Sequence, residues 1–226
     1  MSFLHSCKIW ADKVLDVQLE ENQMCAFVKK LNLTSDMRVL DVGCGYGRNM
    51  RLLSKVSETS IEGVDINPHI VKENKKNGLI CYTVEEFMNN ASVEFPIYDC
   101  MIFSHVIEHF LPEDLKRFLD CYLRFLKPGG YVIFSTPILW EGFYDDFDHI
   151  KMYHPTGINM VFGEKTAQVQ YYGETKLKLI DIWFRRDAHH VHYHRGMYVK
   201  SMASKWWLSV EFFISFCLRL VLGGLE

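Results

Sequence analysis

Short apolar runs alternate along this chain with stretches that are apolar on one helical side only. The first forty residues carry a loose helical stripe through Val14, Val17, Gln18, Met24, Cys25, Phe27, Val28 and Leu31, closed by the turn Thr34-Ser35-Asp36. Met37–Val42 then reads as a strand with Asp41 near its end, leading into Gly43-Cys44-Gly45-Tyr46-Gly47. The pattern predicts a helix over Asn49–Val56, a strand over Ser60–Val64 ending at Asp65, a helix over Pro68–Asn77 closed by Gly78, and strands at Leu79–Thr83 and Tyr98–Ser104. A helix over Pro112–Leu126 puts Leu115, Phe118, Leu119, Tyr122, Leu123 and Phe125 inward, Lys127-Pro128-Gly129-Gly130 stops it, and Tyr131–Thr136 is the next strand. Strands alternating with helices of this length predict an α/β fold: a doubly wound, mostly parallel sheet with helices on both faces and ligands at the strands' carboxyl ends. Past Pro137 the pattern is less regular, with late strands expected at Lys176–Arg185 and His190–Lys200.

The glycine run after the first strand has a clear physical purpose. Glycines allow a tight turn and let a ligand approach the backbone without interference from Cβ. A dinucleotide loop wants its third glycine three positions after the second, and Arg48 stands there instead. That disfavours a nicotinamide-dependent dehydrogenase. Asp65, ending the second strand 18 residues after Gly47, suits the two hydroxyls of a ribose.

Taken together, V-L-D-V-G-C-G-Y-G-R, G-V-D-I, S-H-V-I-E-H and L-K-P-G-G-Y-V-I-F-S-T-P resemble the motifs of the class I S-adenosylmethionine-dependent methyltransferases, over about Met37 to Phe162. Asp148–Pro155, D-H-I-K-M-Y-H-P, is similar to a segment of the subgroup that methylates small molecules, quinone precursors and sugars among them. The resemblance implies a Rossmann-like fold and S-adenosyl-L-methionine as cofactor. It implies that Asp41 faces the amino group of the methionine part, that Gly43, Gly45 and Gly47 pass under that part, that Asp65 takes the ribose hydroxyls, and that Ile66 packs on the adenine. Thr83, Val84 and Glu85 fall at the adenine edge, where the family's usual small-x-D-A-E/D pattern is missing, so the base contact is open among the three. Ser104 and His105 border the sulfonium.

His149, after the fifth strand and beside Asp148, is the expected general base, because an imidazole can accept a hydroxyl proton at neutral pH. The plainer reading is that it bonds a neighbouring loop. Tyr153 and His154 are weaker candidates. Glu108 and His109 are either structural or a wall of the acceptor pocket. His105-Val106-Ile107-Glu108-His109 also matches an inverted zinc-protease motif, but it directly follows a strand within the methyltransferase register, and no metal is expected. His189, His190, His192 and His194 form a solvated strand face, a metal-binding ladder or an anion-binding one, with Arg185, Arg186 and Arg195 nearby favouring an anion over a metal.

The expected organisation is a methyltransferase domain over 1–200, with an N-terminal helical lid (1–35, including Trp10), a cofactor-binding core (36–137) and an acceptor-side region (138–200, whose loop Trp140–Asp148 is a second lid). A hydrophobic or amphipathic helix follows over 201–224. From Trp206 to Leu222, 13 of 17 residues are apolar, with Glu211, Ser215 and Arg219 on one narrow stripe. Such a helix, about 25 Å long, needs a cover: its own domain, a second subunit in a homodimer, or a membrane surface.

Composition narrows the function. A net charge of −3 and a pI near 6.4 argue against bulk electrostatic binding of nucleic acid. Seven cysteines without a C-x-x-C pair argue against a disulfide framework and fit a reducing compartment. Met1–Trp10 lacks the basic-then-apolar pattern of a signal peptide. The expected location is therefore cytoplasmic, peripheral at the inner membrane face if the tail docks there. Of 32 aromatic residues, 19 lie in the last 96 positions, which favours an apolar or lipid-linked acceptor. The expected activity is methyl transfer to a small-molecule or lipid-linked acceptor, at a hydroxyl of a sugar or quinone-precursor type. A non-catalytic S-adenosylmethionine-binding scaffold is the alternative.

Overall fold

The computed structural model describes residues 20–90, 96–137, 141–164 and 169–184. The first described element is a helix, α1, over 20–30. There follow β1 (Arg38–Val42), α2 (Arg48–Leu53), β2 (Ser60–Asp65), α3 (Pro68–Lys76), β3 (Cys81–Thr83), α4 (Val84–Asn90), β4 (Tyr98–Ser104), α5 (Pro112–Leu123), β5 (Leu126–Ser135) and α6 (Pro155–Phe162). Short 3-10 turns occupy Ile107–His109 and Glu141–Asp145. The five strands pair in parallel in the order β3-β2-β1-β4-β5. The strand order reverses between β1 and β4, the switch point beside whose carboxyl ends open α/β sheets bind their ligands.

Alternation along the strands divides the core. Leu40, Val42, Met101 and Phe103 face one layer, with Phe87 of α4, Leu115, Leu119, Tyr122 and Leu123 of α5, and Phe162 of α6. Val39, Cys100, Ile102 and Ile133 face the other, under Met24 and Val28 of α1 and Leu53. Burial on both faces explains why the strands read as near-continuous apolar runs. The α5 stripe at 115, 119, 122 and 123 is the helical spacing of a core face. Leu119 is fully buried, so Leu119→Ala would cost about 2–5 kcal/mol.

Several boundaries differ from the sequence expectation. The α2 helix stops at Leu53, and the next residues turn more tightly, with Lys55 N–H on Leu52 O and Val56 N–H on Leu53 O. The α5 helix stops at Leu123 rather than Leu126. Leu126 already pairs with Tyr98, so β5 begins five residues before Tyr131, and Lys127-Pro128-Gly129-Gly130 is a bulge within the strand rather than a stop before it. Pro128 has no N–H for a ladder and Gly129 sits at φ 80°, which is why the chain leaves the register there. The expected strand over Lys176–Arg185 is not formed in its described part. Only Leu177 pairs, its N–H on Phe162 O, while Leu179, Ile180, Ile182 and Trp183 are exposed. Alternating Lys and Leu residues satisfy the period of a strand, but a strand exists only where a neighbouring edge accepts its ladder. The expected strand over 190–200, its histidines, Arg185, Arg186 and Arg195, Trp10 and the tail Trp206–Leu222 lie outside the described residues. Among the described residues, no helix is long and apolar enough to cross a membrane.

Candidate active site

At the end of β1 the backbone turns sharply. Gly43 and Gly47 adopt φ values of 74° and 73°. A Cβ on Gly43 would stand 2.4 Å from Val106 Cγ2, and one on Gly47 would stand 2.4 Å from Leu79 Cδ1. Both positions thus need glycine for conformation and for space. Gly45 differs, because its missing Cβ points into open space. The loop is tied down by its own backbone: Gly43 N–H and Cys44 N–H both reach Val64 O, at 2.8 and 3.0 Å.

Asp65, at the end of β2, clamps this loop. Its Oδ2 accepts from Gly45 N–H at 2.9 Å and its Oδ1 from Asn67 N–H at 2.8 Å. Asn74 of α3, also buried, donates to Gly45 O at 2.7 Å. Each carboxylate oxygen of Asp65 keeps acceptor capacity beyond one backbone bond. The residue can therefore hold the loop and still accept from a diol.

Asp41 is the unusual group. It is fully buried, and neither carboxylate oxygen has a hydrogen-bond partner among the described residues. Burial pushes its pKa up to about 7; the Asn49 amide stands near enough to pull it the other way but makes no hydrogen bond of good geometry with it. An orphaned carboxylate under a glycine loop is costly to the folded chain unless a cationic or hydrogen-donating ligand meets it.

Beyond the loop, Ile66 is 86% exposed. At the end of β3, Thr83 Oγ1 accepts from Glu86 N–H at 3.1 Å while Glu86 Oε2 accepts from Thr83 N–H at 2.9 Å. This capping box starts α4 and occupies both side chains. Val84 and Glu85, between them, are exposed.

Ser104 is half-buried at the end of β4, paired with Ser135 of β5. His105 follows in a left-handed conformation, φ 55°, with its N–H on Ser135 O. Its Nε2 meets Glu20 Oε1 at 2.9 Å and its Nδ1 stands 3.4 Å from Glu108 Oε1. The Glu108 and Glu20 carboxylates facing its ring N–H groups raise His105 to about 9, so it is an imidazolium at neutral pH. Burial acts to raise Glu20, but its bonds from His105 and Ser135 prevail and hold it down at about 2. Arg48 also binds Glu20 and Glu21, at 3.2 and 3.1 Å. One end of α1 is thereby fastened to the ends of β4 and β5 and to the start of α2. Among the described residues, Glu20, Glu21 and Glu108 stand around His105 and Arg48 beside the strand ends.

Glu108 is fully buried. Its Oε2 accepts from Thr136 Oγ1 at 3.0 Å, and its backbone oxygen accepts from the N–H groups of Ile150 and Lys151. His109 Nδ1 lies 3.0 Å from Asp148 O, and His149 Nδ1 lies 2.7 Å from Phe143 O. The Phe143 ring packs 4.6 Å from the His149 ring. His149 thus bonds a neighbouring loop, as its plainer reading foresees. The same bond places the proton on Nδ1 and leaves Nε2 as an acceptor, 3.8 Å from Asp146 Oδ2. Glu108, His109 and His149 each bring a ligand-type atom within 4.8 Å of the others, a set that could hold a cation. The zinc-motif spacing instead paired His105 with His109, and these diverge to different partners. Tyr153 donates to Phe110 O at 2.8 Å, burial pushing its hydroxyl up to about 12, and His154 caps α6 by accepting from Thr156 N–H.

Glu20 escaped the sequence reading because nothing in a helical stripe distinguishes it from other surface acids. Asn74 did too, as an asparagine inside an amphipathic helix. Arg48 entered only as a position without glycine.

A family model described as a methyltransferase domain matches residues 17–205. Phosphoethanolamine N-methyltransferase 1 of Zea mays is 28% identical over 113 residues, 48% of this chain and 22% of that protein. A ubiquinone biosynthesis O-methyltransferase of Xanthomonas oryzae pv. oryzae (strain PXO99A) is 30% identical over 104 residues, 44% of this chain and 42% of that protein. The chain spans less than half the length of either relative. The crystal structure of a SAM-dependent methyltransferase from Archaeoglobus fulgidus, 21% identical, covers 88% of this chain and 87% of its own with a TM-score of 0.51. The two share a fold.

Proposed function

The chain belongs to the methyltransferase-domain family, in the S-adenosylmethionine-dependent class, and on that premise we propose that it transfers a methyl group to a hydroxyl of a small, apolar or lipid-linked acceptor. The single observation that carries the cofactor half of this reading is Asp41. S-adenosyl-L-methionine supplies an activated methyl on a sulfonium and brings an ammonium group; a buried, unpartnered carboxylate below an open glycine loop fits that ammonium. Gly43, Gly45 and Gly47 let the methionine part approach. Asp65 accepts from the ribose hydroxyls, and exposed Ile66 covers the adenine, with Val84 and Glu85 at its edge. Thr83 contributes by capping α4. Ser104 and His105 border the sulfonium, with the Glu20 carboxylate held at the same strand ends by His105 and Ser135.

Holding the nucleophile in line with the methyl carbon accounts for about 7–11 kcal/mol of the barrier in such a transfer. For a hydroxyl, His149 Nε2 is the proton acceptor, with Phe143 O fixing the tautomer. Tyr144 and Phe147, exposed on the segment that leads to His149, supply an apolar surface for the acceptor. Of the two relatives named above, one is a phosphoethanolamine N-methyltransferase and the other a ubiquinone biosynthesis O-methyltransferase, which supports the small-molecule and lipid-related class without fixing the atom.

The test is transfer of labelled methyl from S-adenosyl-L-methionine into fractionated lipid and small-molecule extracts. The expected product is a methyl ether, with kcat lowered at least about 100-fold by His149→Ala while cofactor affinity is unchanged. A methylated amine or carbon product, or an unchanged kcat, would refute the hydroxyl assignment. Binding of cofactor without transfer to any fraction would favour the scaffold reading.

A further inference from the structure

Cys44 and Cys81 are 37 residues apart in sequence, yet their sulfur atoms stand 3.4 Å from each other. Cys44 lies between Gly43 and Gly45 in the loop, and Cys81 opens β3. Between them runs β2, where Gly63 is the register partner of Cys81. A Cβ on Gly63 would come within 2.8 Å of Cys44 Sγ, so this glycine makes the meeting of the two thiols possible. The Asn74 amide lies 3.8 Å from Cys44 Sγ and 3.7 Å from Cys81 Sγ while it donates to Gly45 O at 2.7 Å. The thiol pair and the glycine loop therefore share one anchoring side chain.

We propose that Cys44 and Cys81 are an oxidisable pair, and that a disulfide between them draws the glycine loop out of its cofactor-binding shape. This second half rests on the cofactor site proposed above. A disulfide needs sulfurs about 2.05 Å apart, so the pair must close by roughly 1.4 Å. Cys44 is bonded directly to Gly45, whose N–H sits on Asp65 and whose carbonyl sits on Asn74. Drawing Cys44 toward β3 displaces that residue from both anchors.

The two thiols are not equivalent. Either sulfur can donate to the other; with Cys44 as donor, and with help from the Asn74 amide against burial, the Cys81 thiol is lowered, while Cys44 is pushed up by its bond to Cys81 and by burial. Cys81 is thus the nucleophile. With a small peroxide as oxidant, the Cys81 thiolate attacks one peroxide oxygen, an S–O bond forms, the O–O bond breaks, and hydroxide leaves and takes up the proton Cys81 released. Cys44 then attacks the Cys81 sulfur, the S–S bond forms, the S–O bond breaks, and the departing hydroxide leaves as water with the Cys44 proton. Two thiols and one peroxide become one disulfide and two waters. Cys44 and Cys81 are 6% and 1% exposed, which admits a small peroxide more readily than a protein disulfide. Cys100 is an internal contrast: also buried, with no thiol contact among the described residues, and pushed up to about 12 by burial.

The test treats the full chain with hydrogen peroxide, blocks the remaining thiols, and maps digested peptides by mass spectrometry, with and without dithiothreitol. The expected result is a reducible link between the Cys44 and Cys81 peptides, absent from Cys81→Ala. Calorimetric titration with S-adenosylhomocysteine should show affinity about ten-fold weaker after oxidation, restored by dithiothreitol, and insensitive to peroxide in Cys81→Ala. Oxidation of other cysteines with no 44–81 link would overturn the proposal. A link with equal affinity in both states would overturn its effect on the loop. Failure of the reduced chain to bind would instead refute the cofactor site, and the linked peptide would still report the pair.

Discussion

The loop between β1 and α2 and the region after β5 solve opposite problems with opposite means. Around the loop, it is the loop's own backbone that is held: Gly43 N–H and Cys44 N–H on Val64 O, Gly45 N–H on Asp65 and Gly45 O on Asn74, while one carboxylate, Asp41, stays unpartnered among the described residues. After β5, side chains do the holding: His149 on Phe143 O, His109 on Asp148 O, Tyr153 on Phe110 O and His154 on the start of α6. A site built from backbone demands glycine and acid at fixed positions and tolerates little else. A site built from side chains can be rebuilt for another acceptor while the cofactor half stays the same.

This contrast can be broken most severely at Gly43. Gly43→Ala places a Cβ against Val106 at a positive φ, and should cost about 2–4 kcal/mol of stability and abolish measurable cofactor binding. Denaturant titration and calorimetry would check both, and retained affinity would contradict the close-approach role. Asp41→Asn should weaken S-adenosylhomocysteine binding on the order of 100-fold. It should also stabilise the free protein in a pH-dependent way. The folded pKa of about 7 lies above the ordinary aspartate value of 3.8, so the wild-type penalty is absent below pH 3.8, grows as pH rises, and is complete above pH 7. The melting temperature of the variant should therefore exceed that of the wild type at pH 8 and match it near pH 4.

Glu20→Gln sharpens the link between α1 and the strand ends. His105 is raised from 6.5 to about 9, so its contribution is complete below pH 6.5 and lost as pH climbs through 9. Glu20 is lowered from 4.5 to about 2, so its contribution is complete above pH 4.5 and lost as pH falls through 2. The variant should be destabilised most between pH 4.5 and 6.5, by about 1 kcal/mol because half of His105 meets water, and the gap should narrow above pH 9 without closing, since Glu20 still accepts from Ser135 and pairs with Arg48. An NMR titration should show the His105 midpoint falling. The smallest expected effect is at Phe147, 99% exposed: Phe147→Ser should leave stability within about 0.5 kcal/mol and cofactor affinity unchanged while raising the acceptor KM. An unchanged KM would remove Phe147 from the acceptor surface.

What was legible in the sequence follows the same division. The parallel sheet, both helical layers and the nearness of Asp65 to the glycine loop could be read because parallel strands bury both faces and turns need particular residues. The Thr83–Glu86 capping box was hidden inside a stretch read for adenine contact, because a cap and a ligand contact use the same residue types. The bulge at Lys127–Gly130 was read as an ending, since Pro and Gly mark both. Glu20 and the Cys44–Cys81 contact depend on tertiary approach across 85 and 37 residues, which no local period encodes.

The central claim, that this loop and its buried acid bind the cofactor, is tested most directly by calorimetric titration of the reduced chain with S-adenosylhomocysteine at pH 7 in two buffers of different ionisation enthalpy. Saturable binding with net proton release, as the ligand's ammonium favours ionised Asp41, is the predicted result, and the release should vanish in Asp41→Asn. No binding, or binding with the same proton release in that variant, would contradict it.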